Sequence, residues 1–226
     1  HWLQGNMGED RKDVGMMLKV FLESFKNIDN PPALIMKTSS AGFSVLDRRQ
    51  MIEKINMIKD DVKSDKLPNV YLLHGDLTDE EINQLYNHPK VKTHLTFSGK
   101  PIIAPIATGQ KDFLEKDYTI ELPHSMTKVP KSAFPKGYFN PEALWATVDY
   151  NSASQIMRDV FKNYKKYELN GKKQMIVNRE TFTHDKMKVK LNKIVDKILS
   201  DVPKEVSLKL PKMKKKNDIK LPKLKV

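Results

Sequence analysis

The sequence predicts an α/β fold, a Rossmann-like parallel sheet with helices on both faces, followed by C-terminal helices and an extended basic tail. Three observations predict it. Apolar strand-like segments alternate with helical segments through the first hundred residues, a Thr78-x-x-Glu81 capping box begins one of those helices, and lysine is concentrated after Pro203. Strands that alternate with helices favour a parallel sheet.

The first helix is predicted from Arg11 to Lys26, because Asp10 can cap it and its apolar residues recur with helical spacing. The helix after Thr78 follows a Gly turn at Gly75. The other elements predicted in this half are a strand over 33–37, a helix over 47–63 and strands over 70–73, 91–97 and 101–104.

The spacing between the last two of these strands is unusual. Only Ser98, Gly99 and Lys100 separate them. Parallel neighbours need a connection of about a dozen residues or more, so three residues allow a hairpin but no βαβ unit. Either this sheet departs here from the usual crossover connections of α/β folds, or a segment is missing.

The second half predicts fewer regular elements. Residues 122–144 are rich in proline and turn residues and predict a long loop. Helices are predicted over 151–166 and 183–200, the second with an apolar face. We therefore assign residues 1–200 to the α/β body and residues 201–226 to the tail, where recurring Pro forbids a helix.

Charge and composition limit the classes of function. The tail from Pro203 carries nine lysines against Glu205 and Asp218, so it supplies +7 of the net charge of +12. Cysteine is absent, which excludes disulfides and thiolate chemistry. No apolar run is long enough to span a membrane. The six histidines form no metal-binding pattern, so no metal site is expected.

Three segments, Asn69–Tyr86, His88–Phe97 and Gly99–Leu114, resemble the C-terminal, donor-binding half of a retaining GT-B glycosyltransferase of the group 1, family 4 type. Gly99–Ala104 matches the Gly-x-Pro-Val-Ile-Ala strand of that family. The resemblance covers roughly His1 to Ile198. The Lys- and Asn-rich style of the sequence also looks like the transferases of large DNA viruses and phages.

The resemblance implies a site for a nucleotide-diphosphate sugar and no other cofactor. Arg11 and Lys12 would hold the diphosphate. His74, Gly75, Asp76 and Leu77 would meet the base, with Lys37 at the end of the neighbouring strand. Thr108, Gly109 and Gln110 would lie near the sugar and phosphates. From the residues alone, solvated charges and ordinary turns remain open alternatives at each position, and Asp76 could equally cap a helix.

One family motif is absent. A Glu-containing loop and helix, whose carboxylates bind the ribose and the transferred sugar, should separate Phe97 from Gly99. The expected function is metal-independent glycosyl transfer with retention if the full protein contains that motif, together with an N-terminal acceptor domain. The alternative is a degenerate transferase domain that acts as an interaction protein in an assembly. Catalytic residues stay unassigned.

The tail predicts a partner of its own. Lys204–Val226 could bind a protein partner or an anionic surface, and nucleic acid through salt-dependent attraction to phosphate. However, the tail has no aromatic residues for base stacking, which argues against a single-strand platform. The expected location is the cytoplasm, or the host cytoplasm or virion for a viral protein.

Overall fold

The computed structural model describes residues 9–10, 12–38, 43–92, 98–134, 137 and 139–201 as a mixed α/β protein. Its helices are α1 Val14–Phe25, α2 Val45–Val62, α3 Asp79–Asn87, α4 Tyr150–Lys162, α5 Tyr164–Thr181 and α6 His184–Asp201. Its strands are β1 Leu34–Lys37, β2 Val70–Leu73, β3 Ile103–Ala104, β4 Ile120–Glu121, β5 His124–Lys128 and β6 Leu144–Val148. The chain divides into two compact units, His1–Thr183 and His184–Val226.

The predicted strand, helix and strand over residues 33–73 are confirmed. β1 and β2 pair in parallel, with Leu34 opposite Val70 and Lys37 opposite Leu73, and α2 forms the crossover between them. The capping box that begins α3 is confirmed as well. Thr78 Oγ1 accepts from the Glu81 N–H, and the Glu81 carboxylate accepts from the Thr78 N–H.

The described strands form separate pairs. β3 pairs in parallel with β4, and β5 pairs with β6 in antiparallel fashion, so the described residues contain three two-stranded sheets. Of the strand predicted over 91–97, Val91 and Lys92 have no strand structure. Residues 93–97 lie outside the described part of the chain.

The loop predicted over residues 122–144 is wrong in part, because β5 occupies its first third. Pro123 and Pro130 lie just outside β5, so neither removes a donor from the ladder. Thr127 lies opposite Trp145 and Thr147 opposite Ser125, and the two threonine hydroxyl oxygens meet diagonally across the pair at 2.5 Å. The proline content therefore marks the ends of a strand and does not prevent one.

The main core lies between α1, α2 and the β1–β2 pair. Leu18, Leu22 and Met51 are fully buried there, and Met36 joins them from β1. A second cluster joins α1 to α4 and the β4 segment through Val20, Leu122 and Ala153. The Ser24 and Ser154 hydroxyls, 2.7 Å apart, form a polar contact between α1 and α4.

α5 holds residues 99–119, although the sequence predicted only its first three residues, as the end of the helix over 151–166. A Cβ on Gly171 would come within 2.5 Å of the Lys100 carbonyl carbon, so only glycine permits this approach. Gln174 is fully buried and bonds three points of the segment: it accepts from the Glu115 N–H and the Thr119 hydroxyl and donates to the Phe113 carbonyl. α5 is therefore a scaffold for the chain that surrounds β3.

α6 belongs to the second compact unit. Its predicted apolar residues lie on one face and are between 41% and 59% exposed: Met187, Leu191, Ile194, Val195 and Ile198. Within the part of the chain that the structure describes, no helix is long and apolar enough to cross a membrane.

Candidate functional site

Lys37 and the His74–Gly75 turn meet at one edge of the β1–β2 pair. Lys37 ends β1 and His74 directly follows β2, and the strands are parallel, so both lie at the carboxyl ends. Lys37 Nζ donates to the Gly75 carbonyl at 2.7 Å. Gly75 has a φ of +133°, a conformation that favours glycine. Open α/β sheets bind ligands at this edge.

Asp47 fixes the histidine of this turn. Ser44 caps α2, and its hydroxyl accepts from the Asp47 N–H at 3.1 Å, which places Asp47 in the first turn of the helix. Asp47 Oδ2 lies 2.7 Å from His74 Nε2, and both side chains are only 5% exposed. The pair therefore joins the start of α2 to the end of β2 and holds the turn in place.

Phe43 completes the cluster. Its ring lies 5.8 Å from the His74 ring in an edge-to-face arrangement, and Lys37 Nζ lies 5.2 Å from its centroid. These geometries are typical of aromatic pairs and of cation–π contacts. Phe43 is nevertheless 44% exposed, so the cluster ends in an accessible aromatic side chain.

The start of α1 differs from the predicted start. The helix begins at Val14 instead of Arg11, because Asp13 adopts the left-handed conformation (φ 50°). Asp10 is buried, and its carboxylate accepts from the N–H groups of Lys12 and Val14 at 3.1 and 3.3 Å. The Lys12 side chain is exposed. Two N–H groups at this helix start are therefore already bonded to a carboxylate.

Lys54 connects this helix start to the β1–β2 edge. Burial lowers the pKa of Lys54, while the charges of Asp10 and Asp47 oppose that shift. Both carboxylates are therefore close enough to act on the same ammonium group. Asp10, which precedes α1, and Asp47 of the Asp47–His74 pair thus act on the same lysine.

Asp13, directly before α1, carries a carboxylate whose two oxygens differ in their surroundings. Its Oδ2 accepts from the Tyr150 hydroxyl at 2.8 Å, whereas Oδ1 is buried and has no hydrogen-bond partner among the residues that the structure describes. Burial raises the pKa of Asp13, its hydrogen bond from Tyr150 opposes the shift, and Asp10 adds to it. Burial and the same hydrogen bond raise the pKa of Tyr150.

The remaining predicted residues lie in turns. Asp76 is exposed and Leu77 half-buried, and Thr78, not Asp76, caps α3. Thr108–Asp112 form a short 3₁₀ helix in which Thr108 and Gly109 are exposed and Gln110 is half-buried. Among the described residues, the side chain that anchors the chain after this turn is Gln174 of α5. Arg11 lies outside the described residues.

Asp47 and Phe43 were missed by the sequence reasoning. The spacing Ser44-x-x-Asp47 is an N-cap signal that could have placed the carboxylate in the first turn of α2. No comparable signal exists for Phe43, whose role depends on its distance from Lys37 and His74. Two shallow clefts lie elsewhere, one on α4 beside Arg158 and one at the end of α2 beside Lys63. Polar or charged residues line the first cleft, and all residues that line the second are polar or charged except Leu67.

Within the described residues, no three His, Asp or Glu side chains are grouped to hold a metal ion. No protein-family model matches the chain, and no curated protein matches it.

Proposed function

We propose that this chain is the donor-binding part of a retaining glycosyltransferase with one Rossmann-like half of a GT-B fold. Its substrate is a nucleotide-diphosphate sugar and its acceptor is unassigned. The observation that supports the proposal is the hydrogen bond from Lys37 Nζ to the Gly75 carbonyl. It joins a cation to the glycine turn at the edge where α/β folds bind nucleotides.

Lys37 and Lys12 have separate roles in this proposal. Lys37 has three N–H donors and uses one on Gly75, so it can also donate to a phosphate oxygen. Lys12 contributes its exposed ammonium group, since Asp10 already holds its backbone N–H. Positive charge at this edge would stabilise the departing diphosphate, the group on which negative charge develops during glycosyl transfer.

The test is calorimetric binding of UDP, GDP and ADP to the intact protein. We expect at least one of these to bind, and Lys37→Gln and Lys12→Gln each to weaken it by about 10- to 100-fold, the effect of a hydrogen bond from a charged donor. Lys59→Gln is the matched control, because Lys59 lies in the last turn of α2, about 20 Å along the helix from Ser44. Equal losses in all three variants, or no nucleotide binding, would contradict the proposal.

A second candidate is an interaction protein derived from a transferase domain. Two observations favour it: the sequence lacks the Glu-containing family motif between Phe97 and Gly99, and the apolar face of α6 is exposed. Release of nucleoside diphosphate from donor sugars separates the two candidates. Nucleotide binding without release of nucleoside diphosphate from the donor sugar would support the degenerate domain. Release of nucleoside diphosphate would support the enzyme.

A further inference from the structure

The start of α2 exposes apolar side chains beside the charged cluster. Three nearly consecutive residues are exposed here: Phe43 by 44%, Val45 by 78% and Leu46 by 67%. Single exposed apolar residues are common, but Phe43 also lies beside Lys37 and His74, so its exposed surface suits an occupant with an apolar part and an anionic part.

The Phe43 ring is held in position while part of its surface stays accessible. The His74 ring meets it edge to face at 5.8 Å, and Lys37 Nζ lies 5.2 Å from its centroid. His74 is in turn fixed by Asp47 at 2.7 Å, and Lys37 by the Gly75 carbonyl. Two anchored neighbours therefore restrict the ring, so little conformational freedom is lost when a flat ligand binds to it.

We propose that Phe43 is the stacking platform for the base of a bound nucleoside diphosphate. This inference rests on the proposed function and adds to it a residue that the sequence did not indicate. A ring with an exposed surface beside Lys37 offers the two contacts that a nucleotide needs, an aromatic surface for the base and a cation for the phosphates.

Stacking on Phe43 would not by itself distinguish one base from another. Every base has a π-face, so an aromatic platform favours nucleotides over bare phosphates without selecting one base. Discrimination between bases must then come from directional groups, such as the main-chain groups of the His74–Gly75 turn. The Phe43 contribution should therefore be similar for a pyrimidine and a purine nucleotide.

The test compares UDP, ADP and inorganic pyrophosphate on the intact protein and on Phe43→Leu. We expect the variant to lose about 5- to 150-fold in affinity for both nucleotides, the range that stacking of one base supplies, and to bind pyrophosphate as before. Phe43→Tyr, which keeps the ring, should stay close to the parent protein. Phe139→Leu makes the same change at another exposed ring and serves as the control.

The outcomes separate the two proposals. If the parent protein binds UDP or ADP more tightly than pyrophosphate and Phe43→Leu does the same, the platform is overturned while the proposed function stands. If the parent protein binds neither nucleotide, both are overturned. Thermal unfolding of each variant without ligand checks that a loss of affinity does not come from a loss of folded protein.

Discussion

Asp13 shows how a single residue can store strain at the start of a helix. It combines a left-handed backbone, a buried carboxylate oxygen with no partner in the described part of the chain and a nearby like charge on Asp10. Non-glycine residues with this backbone conformation are uncommon, and Asn and Asp tolerate it best. The residue therefore lowers the stability of the native state in its ionised form.

We expect Asp13→Asn to raise the free energy of unfolding at pH 7 by a few tenths of a kcal/mol and at most about 1, since solvent partly screens the half-buried group. The sign follows from the raised pKa. The native carboxyl holds its proton to a higher pH than the unfolded chain does, so stability falls as pH rises through the native pKa. The gain should therefore disappear below about pH 4.

Urea unfolding at pH 7 and pH 3.5 measures this difference. Tyr150→Phe is the companion variant, because it removes the hydrogen bond from the Tyr150 hydroxyl to the Asp13 carboxylate and should destabilise the protein more at pH 7 than at pH 3.5. A gain in Asp13→Asn of the same size at both pH values would show that the backbone, and not the charge, is responsible.

Of the four residues that form the candidate site, the sequence predicted Lys37 and His74 but not Asp47 and Phe43. That Lys37 and His74 end neighbouring parallel strands follows from the alternation of strands and helices, so their proximity could be predicted. The Asp47–His74 pair and the Phe43 contacts depend on how α2 is set against β2, a matter of tertiary packing. The predicted start of the first helix is wrong, because Asp13 turns the backbone and α1 begins at Val14.

At the scale of elements, hydrophobic periodicity found those helices that bury apolar residues. α1 and α2 bury Leu18, Leu22, Met51 and Ile55, and both were predicted. α5 buries Gly171, Gln174 and Asn178 instead, none of which contributes to an apolar pattern. Beyond its first three residues the helix was therefore missed, because the residues that it buries form no apolar pattern.

The close approach of Gly171 to the backbone of Lys100 and Pro101 makes α5 sensitive to the addition of a single methyl group. Gly171→Ala would normally strengthen a helix, because alanine has the higher helix propensity. Here the added Cβ would meet the Lys100 carbonyl group at 2.5–2.6 Å and Pro101 N at 2.8 Å, all backbone atoms. We expect a loss of about 1–3 kcal/mol in the free energy of unfolding, the cost typical of overpacking.

Chemical denaturation of Gly171→Ala gives the value directly. Gly109→Ala is a fair control, because nothing lies within 4 Å of the Cβ it would add and its φ is not in the left-handed range. A stabilised Gly171→Ala variant would mean that α5 can move away from Lys100 and Pro101 without cost. That result would contradict the role of α5 as the scaffold for residues 99–119.

The molecule as a whole is basic, but the charge is distributed unevenly along the sequence. Residues from Pro203 to the end supply +7 of the net +12. Electrostatic attraction of this kind weakens with salt and does not depend on the sequence of the partner. Retention on an anionic surface should therefore depend mainly on the tail.

A chain that ends before Pro203 should elute from a cation-exchange or heparin column at clearly lower salt than the full chain. A third protein with the tail residues in shuffled order keeps the charge and removes the repeated Leu-Pro-Lys pattern. Elution of the shuffled chain with the full chain would support charge alone. Elution of all three at the same salt would place the basic surface on the body instead.

Lys100 holds the C-terminal end of α3 and so affects how this helix unfolds locally. Its ammonium group donates to the carbonyls of Tyr86 and His88, at the end of a helix, α3, that buries no residue. Burial lowers the pKa of Lys100, with Lys92 adding to the shift. α3 is therefore held by its two ends, a capping box at one and this lysine at the other. It should unfold and refold as a small cooperative unit, exchanging its amide hydrogens far sooner than α1 or α2 does.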